Sequence, residues 1–154
     1  MKMNMMMKIM VVLFVALEIL SSAAFAQTSR NEMISDVLIS DQSECAIIEI
    51  VFALPVKYKK HFPESAGREL RVYLDPITVT ADDRELTNRN EYYSPPDSDI
   101  VTVSEIIYEG ADVVEPYLTI LFTHQMKFTV RQGGDFRSLL IPVFLPSSNA
   151  ECLP

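Results

Sequence analysis

Two histidines, His61 and His124, two cysteines, Cys45 and Cys152, and the adjacent carboxylates Asp82 and Asp83 are the residues with which this chain could do chemistry. A zinc site draws its ligands from Cys, His and carboxylates at short spacings, and neither histidine has such companions. His61 stands among Lys59, Lys60 and Phe62 and reads as a surface residue. No GxSxG, P-loop or HExxH pattern occurs. Asp82 and Asp83 lie in a polar stretch that supplies no pocket for general acid–base work, so solvated charge is the reading they carry. With no nucleophile and base to pair, the sequence predicts a non-catalytic protein without metal or cofactor.

What the chain does offer is placed positive charge. Alternation puts Lys57, Lys59 and Arg71 on the outward side of neighbouring strands, and Lys127, Arg131 and Arg137 hold comparable places later in the chain. Two related basic strips of this kind suit carboxylates or anionic glycans, Arg being the better fork for a carboxylate. The same residues also fit a solvated sheet face with lysines guarding its edges. Phe62 and Phe136, one in each corresponding loop, are suited to stacking on a sugar or a partner, or to the core.

The first 26 residues read as a secretory signal peptide: Lys2 and Lys8 in a basic start, an apolar run from Ile9 to Leu20, and small residues at Ala24 and Ala26. Glu18 interrupts the run, which is shorter than the roughly 20 residues of a membrane-spanning helix, so no span is expected after cleavage. From totals of 13 basic and 21 acidic side chains, removing Lys2, Lys8 and Glu18 leaves 11 against 20, a net charge of -9. Nucleic acid is a poor partner for so acidic a chain, because phosphate neutralisation supplies most of that affinity. Export also places Cys45 and Cys152 in an oxidising compartment, where an even count favours a disulfide. The alternative is two thiols that never meet, which spacing alone does not decide.

The elements that must position these residues are strands. Ile34–Ile39, then Ile48, Ile50 and Phe52 on one face, then Val56 and Tyr58, then Leu70, Val72 and Leu74 give four short alternating segments broken by Pro55, Pro63 and Gly67. The pattern returns: Ile50, Phe52, Lys57 and Tyr58 fall on Ile120, Phe122, Lys127 and Phe128 at an offset of 70, and Arg68 and Leu70 fall on Arg137 and Leu139 at 69. Ser35 to Ile39 fall on Ser104 to Tyr108 at the same 69. The sequence therefore predicts an all-β fold, a β-sandwich built from two related four-strand halves. Residues 27–80 form the first half, 81–99 a polar connector with one helical turn near Ala81–Leu86, 100–146 the second half and 147–154 a tail. Outward apolar residues Leu38, Ile47, Val51, Ile107, Leu121 and Leu140 imply that both sheet faces are partly covered. An outer-membrane barrel is disfavoured, since strands of about six residues fall short of the 9 to 11 that a tilted membrane strand needs.

The order of an apolar-Asp-apolar strand at Asp36, the I-E-I-x-F segment Ile48 to Phe52, the P-V-x-Y hairpin Pro55 to Tyr58 and the L-x-V-x-L strand Leu70 to Leu74 resembles AMIN domains. Those are periplasmic β-sandwich modules that direct cell-wall amidases and secretin-type machinery to peptidoglycan or to an envelope assembly. The likeness covers each half; the second departs at Gln125 and Met126, which replace the Pro-Val of the hairpin. The resemblance implies a periplasmic or secreted, non-catalytic protein that binds peptidoglycan or an envelope protein. The competing expectation is a structural or assembly subunit that pairs a strand edge with a partner chain.

Overall fold

The computed structural model of the chain describes residues 32–148 and Cys152. The expected signal peptide lies outside the described residues. Nine strands follow in order: β1 (Ile34–Asp41), β2 (Cys45–Phe52), β3 (Val56–Phe62), β4 (Ala66–Pro76), β5 (Asn90–Tyr93), β6 (Val103–Glu109), β7 (Tyr117–Phe128), β8 (Arg131–Gln132) and β9 (Ser138–Phe144). One short helix, α1 (Ala81–Thr87), precedes β5. All pairings are antiparallel, in the order β1-β2-β9-β7-β4-β3, with β6 joining β5 to β7 and β8 flanking β9. The fold is all-β, as the alternation requires.

The order of neighbours mixes the two halves of the sequence. β2 pairs with β9, the last strand of the second half, and β7 pairs with β4, the last strand of the first. The register of these two junctions repeats at the sequence offsets themselves. Ile48 faces Ile141 and Ile50 faces Leu139 at one junction; Leu118 faces Val72 and Ile120 faces Leu70 at the other. The hairpins agree too, Val37 opposite Ile50 and Ile106 opposite Ile120. Even the irregularities recur. A bulge at Ser35 lets its hydroxyl donate to Val51 O at 3.1 Å, and a bulge at Ser104 lets its hydroxyl donate to Leu121 O at 3.0 Å. At the ends of β2 and of its counterpart in β7, Ala53 N donates to Met33 O and Thr123 N to Thr102 O, both at 3.0 Å.

Two differences from the sequence reading have simple causes. In the first half Pro55, which has no N–H to give a ladder, separates β2 from β3. At the matching place Gln125 keeps its N–H, and instead of two strands there is one of 12 residues, β7. β7 pairs with β6 through Phe122 and then with β9 at Lys127 and Phe128, so hydrogen bonding runs unbroken through one sheet. Separate sheets were expected; the sheet instead has two arms that share a strand. The connector, read as polar and solvated, also carries β5. Its sequence NEYY shows no apolar–polar alternation; Tyr93 packs on the core and Glu91 ties the strand to β1.

Both arms line one core. Ile48, Ile50, Leu139 and Ile141 from one arm and Leu70, Val72, Leu118 and Ile120 from the other are all fully buried in the same cluster. Side chains join the edges of the arms. The Glu91 carboxylate on β5 accepts from Met33 N at 2.6 Å and Ile34 N at 3.0 Å at the start of β1. Gln132 Oε1 on β8 accepts from Tyr58 N on β3 at 2.7 Å. Beside Glu91, Tyr108 is buried and donates its hydroxyl to Thr87 O at 2.9 Å; burial, then the Glu91 charge, push its phenol far above the usual range.

Leu70 and Leu139 occupy equivalent, fully buried positions in the two junctions. Leu70→Ala and Leu139→Ala are each expected to cost about 2–5 kcal/mol, measured by urea unfolding, and each is expected to lower the stability of both arms in one transition. Separate transitions for the two arms would show that they do not depend on each other.

Candidate functional site

The six cations singled out in the sequence do not form two related strips. Lys127 is half-buried and donates through Nζ to Ser148 O at 3.2 Å. Arg137 donates through Nη1 to Ala53 O at 2.6 Å, and Arg68, its counterpart, donates to Thr123 O at 2.8 Å, so this pair secures strand ends. Arg131 is exposed on the short β8 opposite Leu140. Lys57, Lys59 and Arg71 lie on or beside the outer face of the β3–β4–β7 arm. The offsets place Thr129 and Leu140, not cations, where the first half has Lys59 and Arg71. Only Lys57 and Lys127 are true counterparts, opposite Asp75 and Phe144 respectively.

On that outer face the register assembles a cluster that no single segment shows. Tyr73 on β4 stands opposite Tyr117 on β7, with ring centroids 5.5 Å apart and planes inclined at 40°. Lys60 Nζ lies 4.7 Å above the Tyr73 ring, and the Arg71 guanidinium lies 5.7 Å from the centre of the Tyr117 ring, both within cation–π reach. Glu69 holds Arg71 Nε at 2.6 Å, and Glu115 binds both Lys59 and Lys60, the latter at 3.5 Å. Phe62 and Tyr92, 70% and 71% exposed, stand at the two ends of a row that crosses the arm through Arg71, Thr119 and Ile107. A shallow hollow of about 340 Å³ opens between Phe62, Pro63, Glu69, Arg71 and Tyr73.

Charge and aromatic groups stabilise each other here. The Lys59 ammonium, then Lys60, hold the Glu115 carboxyl below its ordinary value of 4.5, and Glu115 raises Lys59 in turn. Glu69 raises Arg71. Burial, followed by a hydrogen bond with Glu109, raises the Tyr117 phenol. The surface offers two adjacent, mutually tilted phenols, a guanidinium and paired carboxylates and ammonium groups. Its ring faces and N–H donors suit stacking and hydrogen bonding.

The other residues marked for chemistry have structural roles. The two ring nitrogens of His61 contact the Tyr58 hydroxyl at 2.7 Å and Glu64 O at 2.9 Å. His124 is exposed. Asp83 accepts from Val79 N and Thr80 N and completes a capping box with Thr80 at the start of α1. Among the described residues no group of three His, Cys, Asp or Glu side chains is placed to hold a metal ion. Phe136, with φ of 59°, is exposed like Phe62.

Cys45 and Cys152 form a disulfide with Cα atoms 6.0 Å apart, closing 107 residues of sequence. It packs on Ile47, with Leu140 and Phe144 beside it, so the disulfide covers this part of the outer face of the β1–β2–β9 arm, while Leu38 on the same face stays 46% exposed. This accounts for the outward apolar residues Ile47 and Leu140. The pair points to an oxidising environment, and no helix among the described residues is long and apolar enough to cross a membrane. Comparison with protein-family models, curated proteins and solved structures yields no match for this chain.

Tyr73 and Tyr117 were not singled out in the sequence, where each is one outward residue of an alternating strand; only the β4–β7 register brings them together. Glu115 supplies a pH test of the loop between β6 and β7. Because its pKa is depressed on folding, its contribution is present above 4.5 and is lost as pH falls through the lower folded value. Protection of the amides in residues 111–116, taken relative to their intrinsic exchange, is expected to fall as pH drops below the ordinary carboxylate value of 4.5 and to be low at all pH values in Glu115→Gln; wild-type protection that does not change with pH would exclude the ion pair as the loop's tether.

Proposed function

We propose that the chain is a non-catalytic, exported binding protein of the cell envelope, built of two AMIN-like β halves, whose working surface is the outer face carrying Tyr73, Tyr117 and Arg71. The observation that supports it most is the contrast between the two arms: on one outer face the Cys45–Cys152 disulfide packs over Ile47, Leu140 and Phe144, and at the equivalent place the other presents an aromatic and cationic cluster. The disulfide is consistent with a periplasmic or secreted location. The candidate targets are peptidoglycan and envelope proteins. Pairing of a partner along a free strand edge is the weaker reading. Glu91 occupies the first N–H groups of β1, Asp36 Oδ1 accepts from Val37 N at 2.8 Å, and Gln132 occupies Tyr58 N on β3, so side chains already fill part of both edges.

The test is retention of the disulfide-bonded chain, from Gln27 onward, on cell envelopes and on purified sacculi at low salt. Wild type is expected to be retained by at least one of the two, and Tyr73→Ala/Tyr117→Ala to lose at least about tenfold in affinity, the loss of roughly 1.4 kcal/mol of stacking, while still folding. No retention by either preparation, or full retention of the double variant, would remove the proposal.

A further inference from the structure

The repeat in register allows the two outer faces to be compared position by position. Ile47, Leu140 and Pro142 on the covered face correspond to Tyr117, Arg71 and Tyr73 on the open one, since Ile47 faces Pro142 where Tyr117 faces Tyr73. Lys127 on the covered side corresponds to Lys57 on the open side. The covered face shows what this architecture accepts. Cys152 packs there on Ile47, and Lys127 Nζ donates to a main-chain carbonyl of this chain, Ser148 O, in the turn that follows β9. Lys57, at the corresponding place, is exposed, and its ammonium makes no hydrogen bond or ion pair with the described residues.

Building on the envelope-binding reading, we propose that the open face seats an extended polypeptide segment of a partner protein, with Lys57 holding a main-chain carbonyl and Tyr73 and Tyr117 receiving an apolar side chain. Arg71 selects a carboxylate on the same segment. Its contact with Glu69 uses Nε, and a guanidinium has further N–H donors beyond that one. The chemistry of the two faces separates their occupants. The covered face is aliphatic and takes a segment of this chain fixed by a covalent bond. The open face has exchanged its aliphatic residues for phenols and a guanidinium, which suit a reversible partner bearing both apolar and acidic groups. A polypeptide is favoured over a glycan because the equivalent surface already meets a side chain and a main-chain carbonyl of this chain, Cys152 and Ser148 O, the latter at the position that Lys57 matches.

Selection of linear peptides from a displayed library on the disulfide-bonded chain, followed by mapping of the bound peptides through amide shifts, tests this directly. Selected peptides are expected to carry an aliphatic residue near an acidic one and to shift the amides of Lys57, Arg71, Tyr73 and Tyr117. Lys57→Ala, Arg71→Ala and Tyr117→Ala are each expected to weaken binding about tenfold, while Lys127→Ala, the counterpart on the covered side, leaves it unchanged. Peptides that map elsewhere, or that bind the Lys57 and Tyr117 variants as well as wild type, would overturn the inference. Muropeptides shifting the same amides when no library peptide does would also overturn it, while leaving the envelope-binding role intact.

Discussion

The pairing of β2 with β9 and of β7 with β4 is the constraint on which the rest of the molecule depends. In each junction the last strand of one half completes the hydrogen bonding of the other half, so neither half has a finished sheet of its own. The residues that meet there, Ile48 with Ile141 and Val72 with Leu118, are also the centre of the core. Backbone pairing and apolar burial are therefore satisfied by the same contacts. A one-residue slip at either junction would turn a whole row of these side chains outward. The bulges at Ser35 and Ser104 sit at the same register points in the two arms and hold that alignment locally.

From this arrangement follows the difference between the outer faces. At the two junctions the arms present equivalent backbones to solvent and differ in the side chains they display. Where these are Ile47, Leu140 and Phe144, exposure would be costly. Cys152 packs on them through its disulfide with Cys45, which in the chain-entropy model stabilises the fold by about 4–5 kcal/mol. Where they are Tyr117, Arg71 and Asp75, the face is compatible with water and stays open. Function is then read from a site on a repeated frame, since the frame alone assigns none.

Much of the frame was legible in the sequence. The offsets of 70 and 69 that align Ile50 with Ile120 and Leu70 with Leu139 are the offsets at which the register of one junction recurs in the other. Alternation identified Val72, Ile120 and Ile141 as core residues because burial on one side imposes a period of two. What the sequence could not carry was which strand lies beside which. Antiparallel neighbours distant in sequence leave no local signal, so the exchange between halves and the meeting of Tyr73 with Tyr117 became visible only in the structure. β5 escaped notice for a related reason: its place is fixed by Glu91 reaching to β1, a long-range polar contact without periodicity. The cations misled because alternation gives the side of a strand but not its partners. Lys127 and Arg137 point to carbonyls of the chain itself.

The reciprocal exchange between halves is tested most directly by nuclear Overhauser contacts across the strands of the isotope-labelled, disulfide-bonded chain. The account expects contacts between Ile48 and Ile141 and, at the matching junction, between Val72 and Leu118. Backbone contacts joining β2 to β4 or β7 to β9 along their full lengths, with each half closing on itself, would contradict it.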